Sequence, residues 1–427
     1  MTPEKLFHQM LGLGNEWQVT ACRFDENNGV FLEIKETPGL WLKVRCPKDG
    51  GEVYCHDHTE VMEWRHLNVF EHHCHIRCSL PRAACRKCGH IHRVSPPWEG
   101  LSKHFTQAFE AYALLLAREM PVRRAADVIE VTDTRLWRLI HAHVQAARAA
   151  LDWSNVICVG VDEMSVRKGR QFLSVFADLL GRCVLFGTEG KDQSVWQRFV
   201  EDLESHNGHR HAILEVSMDM SAAYQKGAAE YCRNARVVFD KYHVIANVCQ
   251  AVDHARKTES NHGSEQARQD LSKTIWLWRK NPGHLTEPER ERLETLRSKC
   301  LWTAKAYQMR LVLQEIYAEE HRGKAREAFI NWCHWVRDVA EIAPRMIFAP
   351  MLASAKMILH HLGGIMAHWD HRLTNAYMEG LNSVFSATKR KARGYRTTEY
   401  LLCMLYLVAG KLRLPHQPQL PHQPLFH

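Results

Sequence analysis

Three acidic residues, Asp162, Asp219 and Glu379, stand where a chain could hold two divalent ions. Asp162 follows the apolar run VICVGV and Asp219 follows AILEVSM, while Glu379 lies on a helix-like stretch, TNAYMEGLNSVFSATKRKARG. Apolar strands that end in single carboxylates present oxygen ligands at a sheet edge, the donor type suited to Mg²⁺ or Mn²⁺. One ion activating an attacking oxygen and one stabilising a leaving oxygen is a device for phosphoryl transfer on nucleic acid. A single Asp after a strand is ordinarily a cap or turn residue. Three such placements in a consistent order of elements ask for more.

The elements that must position them can be read from periodicity. Strand-like runs at 156–161, 171–178 and 182–188, broken at Gly169 and Gly181, predict a three-stranded antiparallel meander. An amphipathic stretch at 193–205, a strand at 212–218, a helix from about Ser221 and the strand ARVVF before Asp240 follow. This β-β-β-α-β-α-β order is that of a ribonuclease H-like sheet, so the fold class is mixed α/β. From about 246 to 370 the pattern is helical throughout. On the last helix Asn375, Glu379, Asn382 and Ser386 share one face, and Met378, Leu381 and Phe385 form an apolar stripe on the other. Glu379 is thereby aimed away from the core.

The chain has 427 residues, too many for one ordinary core, and a formal charge of +8 that permits a polyanionic partner without demanding one. No apolar run approaches the roughly 18 residues of a membrane helix, and the start, MTPEKLFHQMLG, lacks the pattern of a secretory signal. A cytoplasmic, nucleoid-associated protein is expected, with no membrane partner. Seven of the 14 cysteines fall in the first 92 residues, which in a reducing compartment argues for metal rather than disulfides. Cys85-Arg86-Lys87-Cys88-Gly89 reads as a zinc knuckle, and Cys46-Pro47-Lys48-Asp49-Gly50-Gly51 is the partner on offer. Asp49 can supply an oxygen ligand, with Cys55, His56 and His58 as nearby substitutes. His72, His73 and His75 read as exposed surface histidines, and GVFLEI and LWLKV as small strands. After the break at Ser95–Gly100, the segments FTQAFEAYALLLAREM, PVRRAADVIE and TDTRLWRLIHAHV resemble a helix-turn-helix. Pro121 suits a first helical position, Thr132 or Asp133 a cap, and Thr134, Arg135 and Arg138 would face DNA. Lys389, Arg390, Lys391, Arg393 and Arg396 follow Glu379 and could neutralise phosphates beside the metals.

The runs VGVDEMSVRKGRQFLSVFADLLGRCVLFGTEGKD, SMDMSAAY, VVFDKYHVIANV and NAYMEGLNSVFSATKRKARGYR together resemble the ISL3 family of bacterial insertion-sequence transposases, over nearly the whole chain. The resemblance implies a DDE transposase with Asp162, Asp219 and Glu379 as the metal-binding triad and two Mg²⁺ or Mn²⁺ ions. Asp240, His243 and Asn375 would support it, Asp240-Lys241-Tyr242-His243 being similar to a D-x-x-H element of related enzymes. It implies a zinc site at Cys46, Asp49, Cys85 and Cys88, although family members usually carry Cys where Asp49 stands. The expected layout is a zinc-ribbon-like module (1–97), a helix-turn-helix (98–151), a ribonuclease H-like core (152–245 and 371–413) interrupted by an all-helical insertion (246–370), and a disordered tail (414–427). The implied reaction cleaves double-stranded DNA at terminal inverted repeats and joins the freed 3′-OH to target DNA, in a homodimer or higher assembly. The alternatives are a catalytically silent, transposase-derived DNA-binding protein or repressor, and a nuclease or resolvase without strand transfer.

Overall fold

Alternating apolar and polar residues in the first hundred positions build a five-stranded sheet: β1 (Trp17–Asp25), β2 (Gly29–Glu36), β3 (Val53–Val69), β4 (His72–Cys85) and β5 (Ile91–Arg93). This computed structural model describes residues 1–26, 29–167, 171–371 and 376–415. They fall into two units, Met1–Leu151 with the chain from Thr388 onward, and Asp152–Ala387.

In the first unit the sheet order is β1-β2-β4-β3, with β5 paired to β4. Helix α1 (Pro3–Leu11) precedes the sheet. Trp17, Trp64 and Trp98 meet edge to face in its core, with centroids 5.1 and 5.9 Å apart for Trp17–Trp98 and Trp64–Trp98. LWLKV, expected to be a strand, lies instead in helix α2 (Pro38–Lys43) and the residue after it. Thr37 accepts a hydrogen bond from the Gly39 amide and Pro38 sits at the helix start, a local start signal that outweighs the apolar alternation. Helices α3 (Gln107–Glu119), α4 (Val122–Val128) and α5 (Asp133–Ala149) follow.

The second unit contains β6 (Cys158–Arg167), β7 (Gln171–Asp178), β8 (Cys183–Glu189), α6 (Ser194–Ser205), β9 (Glu215–Met218), α7 (Ala222–Tyr231) and β10 (Arg236–Phe239). Its sheet order is β10-β9-β6-β7-β8. The β6-β7-β8 pairs are antiparallel, as the meander predicts, and β6-β9 and β9-β10 are parallel. Two strand boundaries differ from the expectation. The first strand continues past 161 to Arg167 because β7 pairs with it as far as Gln171. The fourth begins only at Glu215, after a short 3₁₀ turn at Arg210–Ala212, since β6 and β10 offer pairing partners only from Cys158 and Arg236.

A helical series then runs through α8 (Lys241–His262), α9 (Glu265–Leu271), α10 (Ile275–Arg279), α11 (Glu287–Lys299), α12 (Leu301–Ile316), α13 (Arg322–Ile342), α14 (Arg345–His360), α15 (Leu362–Met366) and α16 (His368–His371). Helix α17 (Ala376–Lys391) carries Glu379, and α18 (Thr398–Ala409) belongs to the first unit. No helix among the described residues is long and apolar enough to cross a membrane. Asn375, Gly169 and most of the expected tail lie outside the described residues.

Candidate active site and DNA-binding elements

Three neighbouring parallel strands, β10, β9 and β6, each carry an acidic residue just past the point where their mutual pairing stops. Asp219 directly follows β9 and Asp240 directly follows β10. Asp162 was expected to terminate its strand but sits inside β6, opposite Val175 of β7. The parallel pairing of β6 with β9 stops at Gly160, so at Asp162 the strand has outrun its neighbour on that side. That lateral opening is why a residue within a strand can still face a cleft.

Helix α17 closes the other side. Met378, Leu381 and Phe385 are buried, as the apolar stripe predicts, while Glu379 is exposed. Gly160 permits the approach, because a Cβ there would lie 2.7 Å from Leu179 Cδ2 and 2.9 Å from Met378 Sδ. A glycine inside an apolar strand is a signal of close approach, and it went unread in the sequence. Asn382 Nδ2 donates to Asp162 Oδ2 at 2.6 Å, and the Glu163 amide donates to Asp162 Oδ1 at 2.7 Å. His243, on the first turn of α8, places Nε2 3.8 Å from Asp162 Oδ1 and 3.7 Å from Asp240 Oδ2. Asp240 also caps α8 by accepting from the Tyr242 amide at 3.0 Å.

The resulting cleft, about 470 Å³, is lined by Asp162, Glu163, Asp240, His243, Glu379 and Asn382 among others. Asp219 is outside that lining, with its Oδ1 accepting from the Ser221 amide at 2.9 Å. Burial pushes the Asp162 carboxyl above its ordinary range and the Asp219 charge adds to the rise, while Asn382 and the Glu163 amide oppose it. Burial likewise raises Glu163, against the pull of Lys191. The donor set is all oxygen with one imidazole beside it, which fits hard divalent ions. The three carboxylates do not gather within 4.8 Å, as one shared ion would require. Two ions roughly 3.5–4 Å apart need flanking ligands rather than a single point of convergence.

In the first unit, Cys46, Asp49, Cys85 and Cys88 place their ligand atoms within 4.8 Å of one another. Two matching loops do this. Gly50 and Gly89, each four residues after the first cysteine of its loop, have φ of 68° and 71°, and their amides return to the carbonyls of Cys46 and Cys85. The amides of Cys88 and Lys87 reach Cys85 Sγ at 3.5 and 3.3 Å and hold that thiol below its usual range. The Gly51 amide holds the Asp49 carboxyl down at about 2. The cluster can bind a metal ion. Cys55 and His58, considered as substitutes, fall outside it. His72, His73 and His75, expected to be exposed surface histidines, are half-buried, with His73 paired to Glu130 and His75 Nδ1 2.9 Å from Glu63.

The sequence pattern of a DDE transposase of ISL3 type, described as a transposase, matches residues 159–405. The chain belongs to transposase family ISL3. The pattern for the helix-turn-helix domain of transposase family ISL3 matches residues 102–144. The transposase for insertion sequence element IS1001 of Bordetella parapertussis is 26% identical over 408 residues, covering 94% of this chain and 97% of that protein. The transposase for IS1557 of Mycobacterium tuberculosis is 23% identical over 451 residues, covering 98% and 97%. The protein is a DNA-binding DDE transposase.

The transposase's helix-turn-helix is α3, α4 and α5. Thr132 caps α5 through the Arg135 amide, whereas Pro121 precedes α4 as its cap residue rather than occupying its first position. Ala126 is buried at the turn and its carbonyl accepts from the Val131 amide. Thr134, Arg135 and Arg138 are all exposed on α5. The guanidinium of Arg135 lies 4.3 Å from the Phe105 ring centre. Another face of α5 is covered by the C-terminal helix: Trp137 stacks on Tyr400 at 4.4 Å and His141 pairs with Glu399 at 2.9 Å. That packing was missed, since nothing local links residues so far apart in sequence. Arg390 and Arg393 are exposed, Lys389 is half-buried, and Lys391 donates to the Arg118 carbonyl.

Proposed function

We propose that this transposase cleaves DNA at the terminal inverted repeats of an insertion sequence and joins the ends to target DNA, with Asp162, Asp219 and Glu379 as its metal-binding triad. The carrying observation is the acidic edge of the parallel strands, faced by a helix that brings Glu379 and Asn382 to the same cleft. Two divalent ions, Mg²⁺ or Mn²⁺, would supply Lewis acidity at the attacking and leaving oxygens. Asn382 and the Glu163 amide each hold one oxygen of Asp162, so the carboxylate is oriented before DNA arrives. His243 stands between Asp162 and Asp240, with Nε2 3.8 and 3.7 Å from an oxygen of each. Asp240 and His243 are positioning residues on this reading, and Asn375, which lies outside the described residues, is assigned with them from the sequence pattern alone.

The β-β-β-α-β-α-β order and the 10-9-6-7-8 sheet support a ribonuclease H-like core, 152–245 with 371–413. Helices from 246 to 370 are its insertion. Residues 1–97 are a zinc-ribbon-like module with Zn²⁺ at Cys46, Asp49, Cys85 and Cys88, and 98–151 are the helix-turn-helix. Thr134, Arg135 and Arg138 read or grip the repeat, and Lys389, Arg390 and Arg393 grip phosphates. The working form is a homodimer or higher assembly on paired ends, in the cytoplasm at the nucleoid.

The test incubates the full-length protein with labelled DNA bearing the element's end, with Mg²⁺ or Mn²⁺ and with EDTA. Metal-dependent nicking at the repeat boundary is expected. Specific binding with no cleavage, on single and paired ends alike, would make the chain a silent DNA-binding relative.

A further inference from the structure

Glu36, Cys55 and His58 bring a carboxylate oxygen, a sulfur and an imidazole nitrogen within 4.8 Å of one another, as a group separate from the Cys46–Cys88 cluster. The sheet itself builds this convergence. Residues three apart on a regular strand point to opposite faces, which would part Cys55 from His58. β3, however, shifts register between Cys55 and Asp57, so that Cys55 lies opposite Ala83 and His58 opposite Pro81. Ala83 and Pro81 are two apart on β4 and share a face, so Cys55 and His58 share one too. Asp57 lies opposite Arg82 and is engaged by it in an ion pair, which removes it from the group. Glu36, the last residue of β2, reaches His58 with Oε1 2.6 Å from Nε2.

A glutamate–histidine hydrogen bond would account for two of these residues; the thiol, whose Sγ reaches only the Asp57 carbonyl at a long 3.7 Å among the contacts of the described residues, asks for a further reason. The chemistry of the trio supplies one. Sulfur, nitrogen and oxygen together suit a borderline-soft divalent ion; a hard Mg²⁺ ion does not take a thiolate. Three protein ligands at one point leave the fourth tetrahedral position for water. We propose that Glu36, Cys55 and His58 form a second zinc site, which ties the end of β2 to the bulged stretch of β3. It differs from the first cluster in having one sulfur rather than three and one open position, so it should be the more readily stripped of the two.

Zinc content of the full-length protein, purified without chelator and measured by elemental analysis, tests this. About two equivalents per chain are expected, falling to about one in His58→Gln and in Cys55→Ser. Cys88→Ser should remove the other equivalent, and graded chelator should take the His58-dependent zinc first. Loading with Co²⁺ gives a second readout: Cys55→Ser should remove part of the thiolate-to-cobalt absorption while His58→Gln alters its ligand-field bands. Circular dichroism on each variant establishes that the fold is retained. A folded wild type whose zinc content and cobalt spectrum are unchanged by both His58→Gln and Cys55→Ser overturns the proposal, whatever that content is.

Discussion

In the first unit, three sulfurs and a carboxylate already lie within 4.8 Å of one another; in the second, the three carboxylates of the proposed triad do not close to that distance. The difference follows from charge. Thiols near one another are neutral until a metal displaces their protons, so two glycine-relieved loops can assemble the cysteine cluster in advance. Carboxylates brought equally close would repel, and burial has already raised Asp162 toward its neutral form. One cluster is therefore preassembled by the backbone. The other is held open by its own electrostatics, with Asn382 and a backbone amide fixing only its most buried member.

The widest break between the two comes from removing the carboxylate that the cleft is built around. Asp162→Asn should lower metal-dependent cleavage by about a thousandfold or more, because an amide cannot help clamp a cation pair. Binding of the terminal repeat should change little, as the helix-turn-helix is in the other unit. Gel-shift and cleavage assays on the same preparation separate the two effects, and substantial cleavage by the variant would remove Asp162 from the triad.

The converse experiment is Cys85→Ser. Loss of that thiolate should release the first zinc and cost the first unit several kcal/mol, of the order seen when structural metal sites are broken. Repeat binding should then fail at temperatures where the wild type binds, while the second unit keeps its fold. Asp49→Cys should retain zinc and resist chelation better, since a fourth thiolate replaces a carboxylate oxygen. Thermal melts with and without chelator read both. A cysteine variant that melts like the wild type in both conditions would mean that packing alone holds the loops.

These contrasts were unequally visible in the chain before it folded. The cysteine loops are local, with each knuckle and its glycine within a few residues, so the residues that converge there were already candidates from spacing, with Cys55, His56 and His58 beside them. The apolar stripe Met378, Leu381, Phe385 was legible for the same reason, because helical period depends on neighbours alone. What depends on pairing was not. Asp162 was placed at a strand's end because an apolar run stops there, yet β7 carries the strand onward. Gly160 lies under Met378, a partner more than two hundred residues away. The bulge that turns Cys55 and His58 to one face exists only against β4.

A smaller effect sharpens the electrostatic half of the comparison. The Asn382 amide favours the ionised form of Asp162, offsetting part of the rise that burial causes. Asn382→Ala removes the donor, so the carboxyl should titrate at still higher pH and its anion should be scarcer under acid conditions. Cleavage should fall on the acidic side of the profile and recover as pH rises, moving its acidic limb upward. A uniform loss at every pH, with the limb unmoved, would show that Asn382 orients Asp162 without setting its charge.

Acid should reach the first unit by a different residue. His66, half-buried on β3, shares a 2.8 Å hydrogen bond between Nδ1 and Thr106 Oγ1 at the start of α3. Thr106 Oγ1 already accepts from the Phe109 amide, leaving its proton to be donated to a neutral imidazole. Burial, and after it the charge of Arg65, depresses the His66 imidazole to about 4. The sign then follows from linkage. Between about pH 6.5 and 4 the unfolded chain takes up a proton that the folded imidazole refuses, so stability falls as pH falls through that window. The residue is partly exposed, so the loss should be held to about 1–2 kcal/mol rather than the full value of the shift. His66→Gln keeps an acceptor for Thr106 and cannot titrate, so its melting temperature should decline less over that range than the wild type's. Equal slopes for the two proteins would assign the acid sensitivity of the helix-turn-helix to groups other than His66.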